Sequence, residues 1–431
     1  MSQTTPHFSY HDGALHAETT PLSAVVAQYG TPLYVYSKAA LIENFDDYAD
    51  ACAGRDALVC YAMKANSNLA ILDLLARRGA GFDIVSGGEL LRVLAVGGDP
   101  RKVIFSGVGK SVEEMRLALS HDILCFNVES IPELHRLNEV AGSMGKQARI
   151  SLRVNPNVDA KTHPYIATGL KANKFGVAFD DALETYRVAA TLPHLEVAGI
   201  DCHIGSQLLD DAPLLEALDK LIELIDDLAL EGIHLHHLDI GGGLGINYGE
   251  VGEAPPVPVA DYLGRLFRRI DLWRRERYDG APIKVIFEPG RSIVGDTGVL
   301  LTTVEYLKKG EEKNFCIVDA AMNDLMRPAL YQAWMGVQPV LPRSGVSADL
   351  YDVVGPVCES GDWLAKDRIL SAEPGDVLAI MSAGAYGLTM ASNYNTRGRA
   401  AEVIVDGDVV HLVREREKPA ELFTLEKIIT G

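Results

Sequence analysis

The chain has 431 residues, 48% of them hydrophobic and 23% charged, with a net charge of −19. This composition supports a sizeable core and more than one domain, while the charge disfavours nucleic acid and anionic membranes, which it would repel. No run approaches the ~18 uninterrupted apolar residues of a membrane span, no basic-then-apolar leader stands at the start, and the six cysteines include no CxxC pair, so the expectation is a soluble cytoplasmic protein.

In chain order, the first 37 residues mix short strand and helix patterns (LHAETTPLSAVVAQYGTPLYVYS). Short apolar runs then alternate with amphipathic ones: LVCYAMK (58–64), GFDIVS (81–86), VIFSG (103–107), ILCFNVE (123–129), ARISLRVN (148–155), VAGIDCHIGS (197–206), HHLDIGGG (236–243) and KVIFEPGR (284–291). Runs rich in Val, Ile, Leu and Phe with Gly or polar flanks suit parallel strands buried on both faces. The segments between have helical spacing: Leu69, Leu72, Leu75 and Ala76 form one apolar stripe, and Gly79, Gly97 and Gly98 sit at helix stops. Eight strand–helix repeats predict a (β/α)₈ barrel of α/β class over 38–295; periodicity alone leaves a doubly wound sheet open. After about residue 295, strand-like runs broken by Gly, Asp and Pro follow without long helices. They predict an antiparallel β-barrel-like domain over 296–431 that takes in residues 1–37.

Polar residues end several barrel strands: Lys64 after LVCYAM, Asp83 in GFDIVS, His203 in DCHIGS, Gly241 to Gly243, and Glu288 in FEPGR. In a barrel these converge on the C-terminal mouth, where active sites are built. A lysine ending an apolar strand suits an imine-forming amine, or is a snorkelling strand-end residue. The GGG run gives close backbone approach to a phosphate, or is only a flexible turn; no GK[ST] follows it. Glu288 can face a pyridine nitrogen and keep it protonated, or pair with Arg291. His203 could ligate a metal, transfer protons or stack on a flat cofactor. The HLHH run (234–237) has no accompanying ligand set, is expected to be structural, and no metal is expected. Most cysteines suit buried apolar positions; Cys358 differs because Glu359 and Ser360 follow it.

The ordered set YAMKAN, GFDIVSGGEL, HIGSQ, DIGGGLG, EPGR, GPVCESGD and GAYG resembles the fold-type III pyridoxal-phosphate decarboxylases, from TPLYVYS (31–37) to SNYNTRGR (392–399). The resemblance implies pyridoxal 5'-phosphate as cofactor, an amino-acid substrate, and a head-to-tail homodimer with shared sites. It implies Lys64 as the cofactor-bound lysine, His203 as the residue stacked on the ring and Glu288 as the partner of the ring nitrogen. Ser206, Gly243, Gly290, Arg291 and Tyr386 are similar to phosphate or nearby contacts. Cys358 and Glu359 resemble a pair donated across the dimer, the thiol being a plausible proton donor.

The reaction implied is decarboxylation of meso-2,6-diaminopimelate to L-lysine and CO₂, the last step of lysine biosynthesis. Arg291, Arg327 and Tyr331 match distal-carboxylate positions, Tyr386 adjoins the substrate, and Glu359 would pair with the distal amine. An arginine fork suits a carboxylate and would repel the cationic tail of ornithine. The segment 162–176 is expected to be a lid, or only a surface connection. Two other readings stay open: a racemase-type enzyme, which would use a tyrosine base in place of PVCES, and a silent regulatory homologue, which would have lost Lys64, Glu288 or Cys358.

Overall fold

The computed structural model describes residues 5–159, 173–277 and 283–429. They divide into two compact units: Asn44–Ile246 with Pro255–Ser292, and Met1–Glu43 with Asn247–Ala254 and Ile293–Gly431.

The first unit is a closed barrel. Its strands are β1 (Ala57–Ala62), β2 (Gly81–Ile84), β3 (Val103–Phe105), β4 (Cys125–Val128), β5 (Ala148–Asn155), β6 (Leu195–Asp201), β7 (His237–Asp239) and β8 (Lys284–Phe287). Each pairs in parallel with the next, and β8 returns to β1 through Ile286 opposite Leu58, closing the ring. Cys60, Ile104, Cys125 and Ile286 form one buried apolar layer, which is why the strand runs carry so few polar residues away from their ends.

Helices follow the strands, and their first turns are capped by the residue types the sequence offers there. Asn68, Ser86, Ser111 and Ser130 each accept a backbone N–H from the first turn, and Ser111 with Glu114 completes a capping box. Gly79 and Gly97 stand just past two helix ends with positive φ. One apolar stripe differs from expectation. On the helix Leu69–Arg77 the buried residues are Ile71, Leu72 and Leu75, while Leu69, the first helical residue, is exposed. In the run 234–237, His237 is buried beside Cys125, 3.7 Å from its Sγ, and His234 and His236 are exposed.

The second unit is a mixed sheet, mostly antiparallel. Its strands are β9 (Gly298–Lys308), β10 (Phe315–Val318), β11 (Val337–Pro339), β12 (Asp349–Val354), β13 (Trp363–Leu370), β14 (Val377–Ile380), β15 (Ala401–Asp406) and β16 (Val409–Arg414). The N-terminal strand Leu33–Ser37 lies between β9, which it meets antiparallel, and β15, which it meets in parallel; β10 and β12 also pair in parallel. Leu33, Val35, Val299, Leu301, Val403 and Val405 join Phe8, Leu15 and Leu22 in one core, so the N-terminal segment supplies apolar mass that the later strands need. Among the described residues no helix is long and apolar enough to cross a membrane.

Candidate active site

Strand direction brings Lys64, Asp83, His203, Gly241–Gly243, Glu288 and Arg291 to one end of the barrel. Lys64 lies two residues past β1, and its Nζ donates to Asp83 Oδ2 at 2.8 Å. The lysine is half exposed and the aspartate fully buried, so the ammonium has a counter-charge on its inner side.

Beneath it lies a buried carboxylate group. Asp201 ends β6, Asp239 ends β7 and Glu288 follows β8; each offers an oxygen within 4.8 Å of the others. Coulomb repulsion of about 4 kcal/mol between unit charges ~4 Å apart at an effective dielectric near 20 makes three bare anions untenable. The cluster therefore holds protons. Burial, then the charges of Asp239, Asp83 and Asp201, hold Glu288 well above the usual carboxylate range. Burial and Asp201 do the same to Asp239, and burial pushes Asp201 up to about 7 against the opposing charge of Arg153. Asn127 Nδ2 donates to Glu288 Oε1 at 3.5 Å.

His203 receives the Gly242 N–H at Nδ1, 3.3 Å away. That nitrogen is therefore unprotonated, which fixes a neutral ring with its hydrogen on Nε2. Burial, then the positive charges of Arg153 and Lys64, hold its pKa well below the ordinary histidine value in agreement. The glycines are required by close contact: a Cβ on Gly242 would lie 2.2 Å from the Glu288 carbonyl oxygen, and Gly243 has φ +116 with Gly205 O in the way of any side chain. Arg291 donates from Nε and Nη2 to Ser206 Oγ at 3.2 and 3.1 Å, which sets a cation and a hydroxyl beside one another. Gly290 packs against Ala62, with 3.1 Å left for a Cβ.

The donor set fits pyridoxal phosphate. It offers a primary amine for an aldehyde, a proton-bearing carboxyl group for a ring nitrogen, a neutral flat imidazole for a ring face, and a cation with a hydroxyl for a phosphate.

The remaining expected residues belong to the sheet unit. Arg327 and Tyr331 stand four apart on the short helix Arg327–Tyr331, hence on one face. Arg327 is buried, its guanidinium 4.4 Å from the centroid of the Tyr248 ring. Tyr386 has a left-handed φ of +55, a conformation tolerated where the surroundings impose it. Cys358 is exposed, whereas the other five cysteines are buried. Its N–H donates to Asn395 Oδ1 at 3.5 Å, and the Tyr394 hydroxyl donates to the Glu359 carboxylate, which raises the tyrosine pKa. The segment 162–176, expected as a lid, lies outside the described residues except for 173–176.

Sequence reasoning missed Asp201, Asp239, Glu129 and Arg153. Their signal was available: each is a charged residue in or directly after an otherwise apolar strand run.

The family model for "Pyridoxal-dependent decarboxylase, pyridoxal binding domain" matches residues 38–295. Diaminopimelate decarboxylase of Pseudomonas aeruginosa is 58% identical over 422 residues, spanning 98% of this chain and 99% of that protein. Its counterpart from Vibrio cholerae is 57% identical over 424 residues, again spanning 98% and 99%. Among solved structures, diaminopimelate decarboxylase from Helicobacter pylori complexed with L-lysine matches with a TM-score of 0.87 at 44% identity, covering 94% of this chain and 99% of that one.

Proposed function

The chain belongs to the pyridoxal-dependent decarboxylase family, and from that premise we propose that it releases CO₂ from meso-2,6-diaminopimelate and leaves L-lysine. Full-length identity of 58% to a diaminopimelate decarboxylase is the observation that carries this reading. Buried Arg327 and its neighbour Tyr331 agree with a carboxylate-tailed substrate.

Pyridoxal phosphate, when bound, supplies the electron sink for the bond that breaks. Lys64 holds its aldehyde carbon, and Asp83 orients Nζ. Glu288, as the carboxylate, would keep a proton at the ring nitrogen by pairing with it. His203 covers one ring face as a neutral imidazole, which adds no charge against the protonated ring. Ser206, Gly243, Gly290, Arg291 and Tyr386 hold the phosphate. Arg291, Arg327 and Tyr331 clamp the distal carboxylate, Glu359 takes the distal amine, Tyr386 adjoins the substrate, and Cys358 returns a proton to Cα. The assembly is a head-to-tail homodimer in the cytoplasm, each chain lending Cys358 and Glu359 to its partner's barrel.

The test is CO₂ release by the cofactor-loaded protein from meso-diaminopimelate, with ornithine, arginine and lysine alongside. Lysine formed from diaminopimelate alone is the expected result. Turnover of a basic amino acid alone would overturn the substrate assignment and leave the cofactor chemistry standing.

A further inference from the structure

Four charged side chains at the barrel mouth, Lys110, Glu133, Glu129 and Arg153, take no part in the reaction as described, yet each is at least nine-tenths buried. Lys110 spends all three ammonium hydrogens at 2.7 Å, on Gly107 O, Asn127 O and Glu133 Oε1. Glu133 Oε2 accepts the Glu129 N–H at 2.9 Å. Glu129 is the hub: Oε1 accepts Gly107 N–H at 3.0 Å and pairs with Arg153 Nη1 at 3.4 Å, and Oε2 accepts Gly176 N–H at 3.0 Å.

The set is electrically neutral, with two cations and two anions, and it joins the loop after β3, the segment after β4 and the end of β5. Its two ends reach the groups assigned to the cofactor. Arg153 Nη2 donates to the His203 carbonyl at 3.5 Å. Asn127, whose carbonyl Lys110 grips, extends its amide to Glu288. Buried ion pairs are seldom the least costly way to join loops, since apolar residues of similar volume are often as stable or more so. Two of them in one network ending on these two residues point to positioning.

We propose that Lys110, Glu133, Glu129 and Arg153 form a positioning frame that fixes His203 through Arg153 and Glu288 through Asn127, with Glu129 as the hub. None of the four touches substrate. The inference rests on the proposed roles of His203 and Glu288.

The test uses the holoenzymes of Glu129→Gln, Arg153→Lys, their double variant and His203→Ala, with the visible circular dichroism of the bound cofactor read beside kcat and KM. Glu129→Gln keeps the shape of the hub and removes its charge. Misplacing a group by ~1 Å costs on the order of 100-fold, so kcat is expected to fall roughly 10- to 100-fold, with KM within about 3-fold and a changed dichroic band. Arg153→Lys should reproduce both changes, and it decides the matter alone if Glu129→Gln does not fold. The double variant should be no worse than the poorer single one, because both break one frame; independent losses would multiply. A wild-type band and kcat in Glu129→Gln or, should that variant not fold, in Arg153→Lys overturn the frame while leaving the function intact, provided His203→Ala alters the band. An unaltered band in His203→Ala overturns the frame together with the role given to His203.

Discussion

At the barrel mouth the carboxylates of the site are buried within one chain and hold one another, whereas Cys358 and Glu359 are exposed on the surface of theirs. Asp83 and Glu288 are inside the protein with charged neighbours on several strands. Cys358 and Glu359 are exposed, and the hydrogen bonds named for them come from the single turn at Tyr394 and Asn395. The difference fits the roles proposed for the two sets of groups. Holding a proton at a ring nitrogen needs a carboxylate fixed against it away from water, and a buried position supplies that. Delivering a proton to a substrate carbon, and reading a substrate's far end, need groups presented at the surface of the chain that lends them.

Breaking the buried region should do the most damage. Lys64→Ala is expected to lower kcat by on the order of 10³-fold or more while the fold survives, since the side chain is half exposed; CO₂ release and a thermal melt check the two parts. Next comes the exposed loop. Cys358→Ala should keep full cofactor absorbance and lose on the order of 100-fold in turnover, the usual scale for one general acid; normal turnover would remove it from the mechanism. Arg327→Ala should act on KM for diaminopimelate more than on kcat, by roughly 10- to 100-fold if a charged hydrogen bond worth about 1.5–3 kcal/mol is lost.

The smallest effect concerns pH. Burial, assisted by Asp83, raises Glu89 from 4.5 to about 7. The folded state then binds more protons than the unfolded one between those values, so this group's contribution to stability declines as pH rises from about 4.5 to 7. Glu89→Gln should flatten that part of the melting-temperature profile by ~2–4 °C. A profile identical to wild type would show that the carboxyl is not held this way.

The barrel was legible because parallel strands covered on both faces read as continuous apolar runs, and Lys64, His203 and Glu288 stand out as the polar residues that end them. The partners of those residues were not legible. Arg153 and Glu129 are 24 residues apart and Asp83 and Lys64 are 19 apart, and nothing local in the sequence pairs them; the parallel pairing of neighbouring strands does. The sheet unit was read less completely. β13, with the sequence WLAKDRIL, carries charges on an exposed face, and β11 ends in a proline, so neither shows the apolar signature of a strand. The parallel contact of Leu33–Ser37 with β15 joins residues more than 360 positions apart, beyond any local pattern.

In the proposed dimer a working site needs one barrel mouth and one Cys358 loop, and these come from different chains. Mixing Lys64→Ala with Cys358→Ala protein, each inactive alone, tests it most directly. Random reassortment of a two-fold dimer gives half heterodimers with one intact site of two, so about a quarter of wild-type activity should return. No recovery after confirmed subunit exchange would contradict the claim and place both residues in a site built by one chain.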